Sequence, residues 1–97
     1  MVTVLKNISP EYKKIASIIK KNVKVLDLGC GDGSLMYYLK ESKNVNVQGI
    51  ELNNSLIYSC IEKGLTVFHS DIEGAIGVYP QKNFDYIILY NSLQEVK

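Results

Sequence analysis

Ninety-seven residues suffice for one small domain with one modest core, because a chain of this size buries only about two-thirds of its unfolded surface. Its 11 cationic residues are all lysines and stand against 10 acids, for a net charge of +1; this excludes a broad positive field for nucleic acid, an acidic tail for a basic partner, and the bidentate arginine clamp for phosphate. Two cysteines are too few for a disulfide scaffold, no segment approaches the roughly 20 apolar residues that span a bilayer, and no secretory signal is apparent, so a soluble protein of the reducing cytoplasm is expected.

The first predicted element is a helix. Ser9-Pro10-Glu11 supplies a hydroxyl cap, a proline at the first position and an acid in the first turn, and Tyr12, Ile15, Ile18 and Ile19 form an apolar stripe to about Lys21. Lys13, Lys14, Lys20 and Lys21 are the solvated face of that helix rather than a DNA-binding patch. An apolar strand, Val23 to Leu28, then runs into a loop with glycine at 29, 31 and 33. A second helix from near Ser34 carries Leu35, Met36, Tyr38 and Leu39 until Lys43-Asn44, and Val45 to Glu51 is the second strand. Asn53 or Asn54 caps a third helix with Leu56, Ile57, Cys60 and Ile61 on one face, and Gly64 suits the left-handed residue that ends it. Leu65 to Phe68 is the third strand, Asp71 to Tyr79 is ambiguous because of Gly74 and Gly77, and Pro80 to Asn83 is a turn. The fourth strand, Phe84 to Tyr90, does not alternate and should be covered on both faces. Strands alternating with helices predict a parallel sheet joined by right-handed crossovers.

The chemistry concentrates at the strand ends. Glycine admits positive φ and lets a ligand lie against the backbone, while the following helix points its amides back at the site. The spacing Asp27-x-Gly29-x-Gly31-x-Gly33 departs from the dinucleotide pattern, in which the third glycine lies three residues past the second, and suits S-adenosylmethionine better. That cofactor has no pyrophosphate, and its ammonium needs acceptors such as those around this loop. Glu51 ends the second strand where a carboxylate can accept from both ribose hydroxyls, and Leu52 can pack on an adenine face. Asp71 offers a carboxylate to an exocyclic amine and Ile72 a backbone amide to a ring nitrogen; Asp71 is equally a helix cap. His69 and Cys60 read as structural, and Cys30 as the small residue its loop requires.

Through Val25 to Gly33, Gly49-Ile50-Glu51, Ser70-Asp71 and Phe84 to Leu89, the chain resembles the class I S-adenosylmethionine-dependent methyltransferases. More narrowly it resembles the MetW family of methionine biosynthesis proteins, through Asp27 to Leu35, Cys60 to Val67, and Phe84 to Leu89 followed by Ser92 to Val96. The resemblance implies a Rossmann-like α/β fold with helices on both faces of a parallel sheet, a cofactor site of Asp27, Gly29, Cys30, Gly31, Gly33, Glu51, Leu52, Asp71, Ile72 and Asn91, and a homoserine acyltransferase as partner. It assigns no catalytic residue. One departure is Leu52-Asn53-Asn54, where an acid often follows the apolar residue. Asn91-Ser92 faces the methyl-transfer site by analogy but lacks the Asn-Pro-Pro-Tyr sequence used on amino acceptors, which disfavours DNA adenine methylation.

The full fold of that superfamily orders seven strands 3-2-1-4-5-7-6, and this chain supplies about four, in the order 3-2-1-4. Strand four would then be an exposed edge, so the expectation is either a homodimer through strand four or a fragment of a longer protein.

Overall fold

Alternation of short apolar runs with amphipathic segments produces strand and helix in turn. The computed structural model describes residues 2–5, 12–78 and 83–89, and among these the order is β1 (Thr3–Leu5), α1 (Tyr12–Ile18), β2 (Lys24–Leu28), α2 (Ser34–Lys43), β3 (Asn46–Glu51), α3 (Asn54–Glu62), β4 (Thr66–His69), α4 (Ile72–Val78) and β5 (Tyr86–Ile88). The helix start at Ser9 to Glu11, the turn at 80–82 and Asn91 lie outside the described residues.

The strands form one sheet in the order β1-β5-β2-β3-β4, and every pairing is parallel. The four expected strands take their expected order, with β2 at the centre and the direction of progression reversing between β3 and β5. A fifth strand was not expected. Thr3, Val4 and Leu5 pair with Tyr86, Ile87 and Ile88, so β5 is flanked by β1 on one side and β2 on the other. This overturns the reading of strand four as an exposed edge, and with it the reason for a dimer through that strand.

Side chains alternate across the sheet. Val25, Val47, Tyr86 and Ile88 join Ile15 of α1, Leu35, Met36 and Leu39 of α2 and Cys60 of α3 in the larger core. Leu26, Leu28, Ile50 and Ile87 face the other way and pack with Ala75 of α4 and Phe84. The non-alternating run Tyr86-Ile87-Ile88 is buried throughout, as a strand covered on both faces should be. Two stripe residues are exposed. Ile18 and Ile61 are 45% and 56% exposed, because Ala16 and Cys60 take the inward positions of their helices.

Local signals fix the ends of the helices. Asn53 caps α3, its side chain accepting from the Leu56 amide, and Gly64 follows the helix at φ 74°. The ambiguous segment is helical because Asp71 accepts from the Gly74 amide at 2.6 Å, so the capping reading of Asp71 is the structural one.

Candidate functional site

Ligands of open parallel sheets settle at the carboxyl ends of the strands, where the strand order reverses. Here that place is the end of β2, between β3 and β5. Asp27 pairs in register with Gly49 on one side and Ile88 on the other. The chain then leaves the sheet through Gly29, Gly31 and Gly33, at φ 76°, 61° and 85°. Residues with a Cβ disfavour such values, so the alternate glycines are what allow this turn.

The loop spends its amides on the protein. Gly29 and Cys30 both donate to the Ile50 carbonyl, Gly31 to Glu51 Oε1 at 2.8 Å, Gly33 to the Cys30 carbonyl, and Ser34 to Asp32 Oδ1. The expected row of amides pointing at a ligand is therefore not what forms. These five donors are occupied, and the first amide of α2 is capped from within. The bonds from Ser34 also hold the Asp32 carboxyl below the usual carboxylate range.

Carboxylates dominate instead. Glu51, 5% exposed, accepts from Gly31 on Oε1 and from Leu52 and Asn53 on Oε2, so three amides tie the end of β3 to the glycine loop and to the start of α3. Asp27 is fully buried, and neither of its oxygens has a hydrogen-bond partner among the described residues. Burial first, and then the nearby charge of Glu51, push its pKa up to about 7.

An open cleft beside the loop is lined by Gly29, Ile50, Glu51, Leu52, Ser70, Asp71 and Ile72. It gathers five of the expected site residues: Gly29, Glu51, Leu52, Asp71 and Ile72. Leu52 stands 59% exposed at its rim. Cys30 belongs elsewhere. Its thiol is buried 3.8 Å from that of Cys60, and the Cys60 thiol donates to the Gly31 carbonyl at 3.3 Å, so the two side chains back the loop. Burial raises the pKa of both thiols. Gly33 is likewise a packing residue, for a Cβ there would come 2.6 Å from Leu65 Cδ1 and 3.0 Å from Cys60 Sγ. Gly49 admits the loop from the other side, since a Cβ at that position would meet Cys30 Sγ at 2.6 Å.

Three residues at this site carry more than their sequence suggested. Asn53, expected only as a cap, also donates its amide to Glu51. Ser70 continues the β3–β4 ladder by donating to the Glu51 carbonyl. His69, expected only as structural, has Nε2 2.9 Å from the Leu52 carbonyl. The register pairing of Glu51 with His69 is the source of this last contact, and it depends on strand alignment.

The family model for "Methionine biosynthesis protein MetW" matches residues 9–97. The chain belongs to the MetW family. Among curated relatives, MetW similarity extends to a bifunctional methionine biosynthesis protein MetXA/MetW of Rhodopirellula baltica, 26% identical over 95 residues, covering 90% of this chain and 15% of that protein. Phosphoethanolamine N-methyltransferase 1 of Arabidopsis thaliana is 29% identical over 83 residues, with 81% and 17% covered. Among solved structures, a TehB-like S-adenosylmethionine-dependent methyltransferase from Corynebacterium glutamicum superposes with a TM-score of 0.69 at 24% identity, covering 94% of this chain and 50% of that one. A methyltransferase from Thiobacillus denitrificans in complex with S-adenosylhomocysteine gives 0.67 at 19% identity, with 82% and 36% covered. The fold of this MetW chain is thus the methyltransferase fold, and the chain spans less than a fifth of those curated relatives. No helix among the described residues is long and apolar enough to cross a membrane.

Proposed function

We propose that this chain binds S-adenosylmethionine across the ends of β2, β3 and β4, as the donor-binding part of a methyltransferase-type protein. The observation that carries the reading is Asp27, a carboxylate buried beneath a glycine loop without a partner among the described residues. Kept ionised, a buried carboxylate without donors is costly unless a ligand supplies positive charge; otherwise it takes up a proton. S-adenosylmethionine brings two, an ammonium and a sulfonium. The engaged amides of the loop support the same choice, because a pyrophosphate would find Gly29, Cys30, Gly31, Gly33 and Ser34 already donating within the chain.

In this reading the cleft takes the nucleoside. Glu51, with three amides on it, keeps about one of a carboxylate's four lone-pair positions for a ribose hydroxyl, on Oε1. Leu52 and Ile72 flank the base, and Asp71 faces its exocyclic amine. Asn91 is proposed for the donor site by resemblance alone. The bound cofactor supplies an electrophilic methyl group, and the protein holds donor and acceptor in line and excludes water.

Calorimetric titration with S-adenosylmethionine and S-adenosylhomocysteine tests this. Saturable heat and a raised melting temperature are expected; no heat, with an unchanged melting temperature at millimolar ligand, overturns it. Glu51→Gln should weaken S-adenosylhomocysteine binding by about ten- to a hundredfold, the range for a hydrogen bond to a charged group, and should also lower stability, because a side-chain NH₂ would replace one acceptor facing backbone donors. Titration and thermal melting of the same sample separate the two effects.

The Rhodopirellula relative favours a second reading, since its name joins MetXA and MetW in one bifunctional protein. Here the chain is an interaction module for a homoserine acyltransferase. Co-elution of the two purified proteins supports it, and separate elution at micromolar concentration argues against it.

A further inference from the structure

The segment that joins β3 to α3 is held from both of its polar sides. Glu51 Oε2 receives the amides of Leu52 and Asn53, at 3.1 and 3.0 Å. The carbonyl of Leu52 points the other way, to His69 Nε2 at 2.9 Å. A carbonyl oxygen can only accept, so Nε2 carries the proton and donates. One residue on, Asn53 caps α3 through Leu56 and cannot slide without releasing the helix. The Leu52 peptide is therefore bracketed between side chains of two neighbouring strands, whose register places Glu51 opposite His69.

What the bracket orients is a largely exposed apolar side chain. Leu52 is 59% exposed, yet it lines the same cleft as Asp71 and Ile72. An exposed leucine gains little from solvent and wanders among rotamers and backbone settings unless its peptide is fixed. Fixed, it forms a standing wall for a flat ring.

We propose that His69 is a positioning residue for the ligand's base: by donating from Nε2 to the Leu52 carbonyl it sets Leu52 as one wall of the cleft that takes the purine. This rests on the S-adenosylmethionine reading above. His69 touches no reacting atom; it acts through Leu52, and its effect should be confined to the base.

The test compares S-adenosylhomocysteine with S-ribosylhomocysteine, which keeps the ribose and the amino acid and lacks the base. His69→Ala should weaken S-adenosylhomocysteine about tenfold and leave S-ribosylhomocysteine unchanged, with the unliganded melting temperature moved little, since His69 is exposed. His69→Gln, whose amide NH₂ can donate to the same carbonyl, should return the affinity to within about threefold of the parent. Equal losses for both ligands, unchanged affinity in His69→Ala, or no recovery in His69→Gln overturns the assignment. If the parent chain binds neither ligand, the donor-binding reading itself fails, a result distinct from any of these.

Discussion

At pH 8 the Asp27→Asn chain is expected to resist urea better than the parent, and at that same pH to have lost most of its affinity for S-adenosylmethionine. Asp27 has an ordinary pKa of 3.8, which folding raises to about 7, chiefly through burial and then through Glu51. The folded state thus keeps the proton longer than the unfolded one. Its contribution to stability is fully present below pH 3.8 and is lost as pH rises to 7, on the order of 4 kcal/mol in all. Asparagine cannot ionise. Between pH 5 and 8 the difference between the two chains should move by about 2–3 kcal/mol in favour of the variant, as read from urea midpoints. Asp32 titrates in the opposite sense. Its pKa is lowered by Ser34, so its stabilisation is present above its ordinary value of 3.8 and fades only in more acid solution, outside this window.

The same proton governs the ligand. A cation bound at the loop favours the charged form of Asp27, so the affinity of the parent for S-adenosylmethionine should rise by up to about tenfold per pH unit toward pH 7 and then level off. The variant should show a flat profile and, at pH 8, binding weaker by about ten- to a hundredfold. Titration in two buffers of different ionisation enthalpy measures the proton released. A parent affinity constant from pH 5.5 to 8 would show that Asp27 is not the counter-charge.

Gly33→Ala should be strongly destabilising. It pays twice, once for φ 85° and once for a Cβ driven to 2.6 Å from Leu65 Cδ1 and 3.0 Å from Cys60 Sγ. The left-handed setting costs about 1–2 kcal/mol and overpacking a further 1–3. Gly64→Ala separates the two costs, since it has φ 74° and nothing within 4 Å of the added carbon, so it should lose only about 1–2 kcal/mol. Chemical denaturation of both variants reads the difference directly. Equal losses would mean that Leu65 and Cys60 give way freely and that Gly33 is required for its φ alone.

Much of this was legible because the signals are local. Asp27 to Gly33 can be read as a strand running into a turn, Asn53 or Asn54 as a cap and Gly64 as a left-handed stop, each within a few residues of its cause. What escaped depends on distant partners. Gly33 shows no packing role until Cys60 and Leu65 arrive from α3 and the residue before β4. The loop amides look available until Ile50 and Glu51 claim them. Ile18 and Ile61 continue apolar stripes that their neighbours Ala16 and Cys60 complete without them. The readings of Asp71 as cap and as cleft residue are compatible, since it accepts from Gly74 and still lines the cleft.

The three residues of β1 were too few to show a period, and their partner lies far along the chain. That distance has a temporal consequence. The pairings β2–β3 and β3–β4 close short stretches of chain, whereas β1–β5 joins residue 3 to residue 86. Loop closure of that length is paid before any contact rewards it, so this ladder is the slowest to form. During synthesis β1 must wait, unpaired, until β5 has been made. Leu5 is its one buried side chain, so β1 adds little apolar burial to the ladder it closes. The sheet thus has a clasp as well as a core, closed last, and β5, whose three residues are all buried, lies directly behind it.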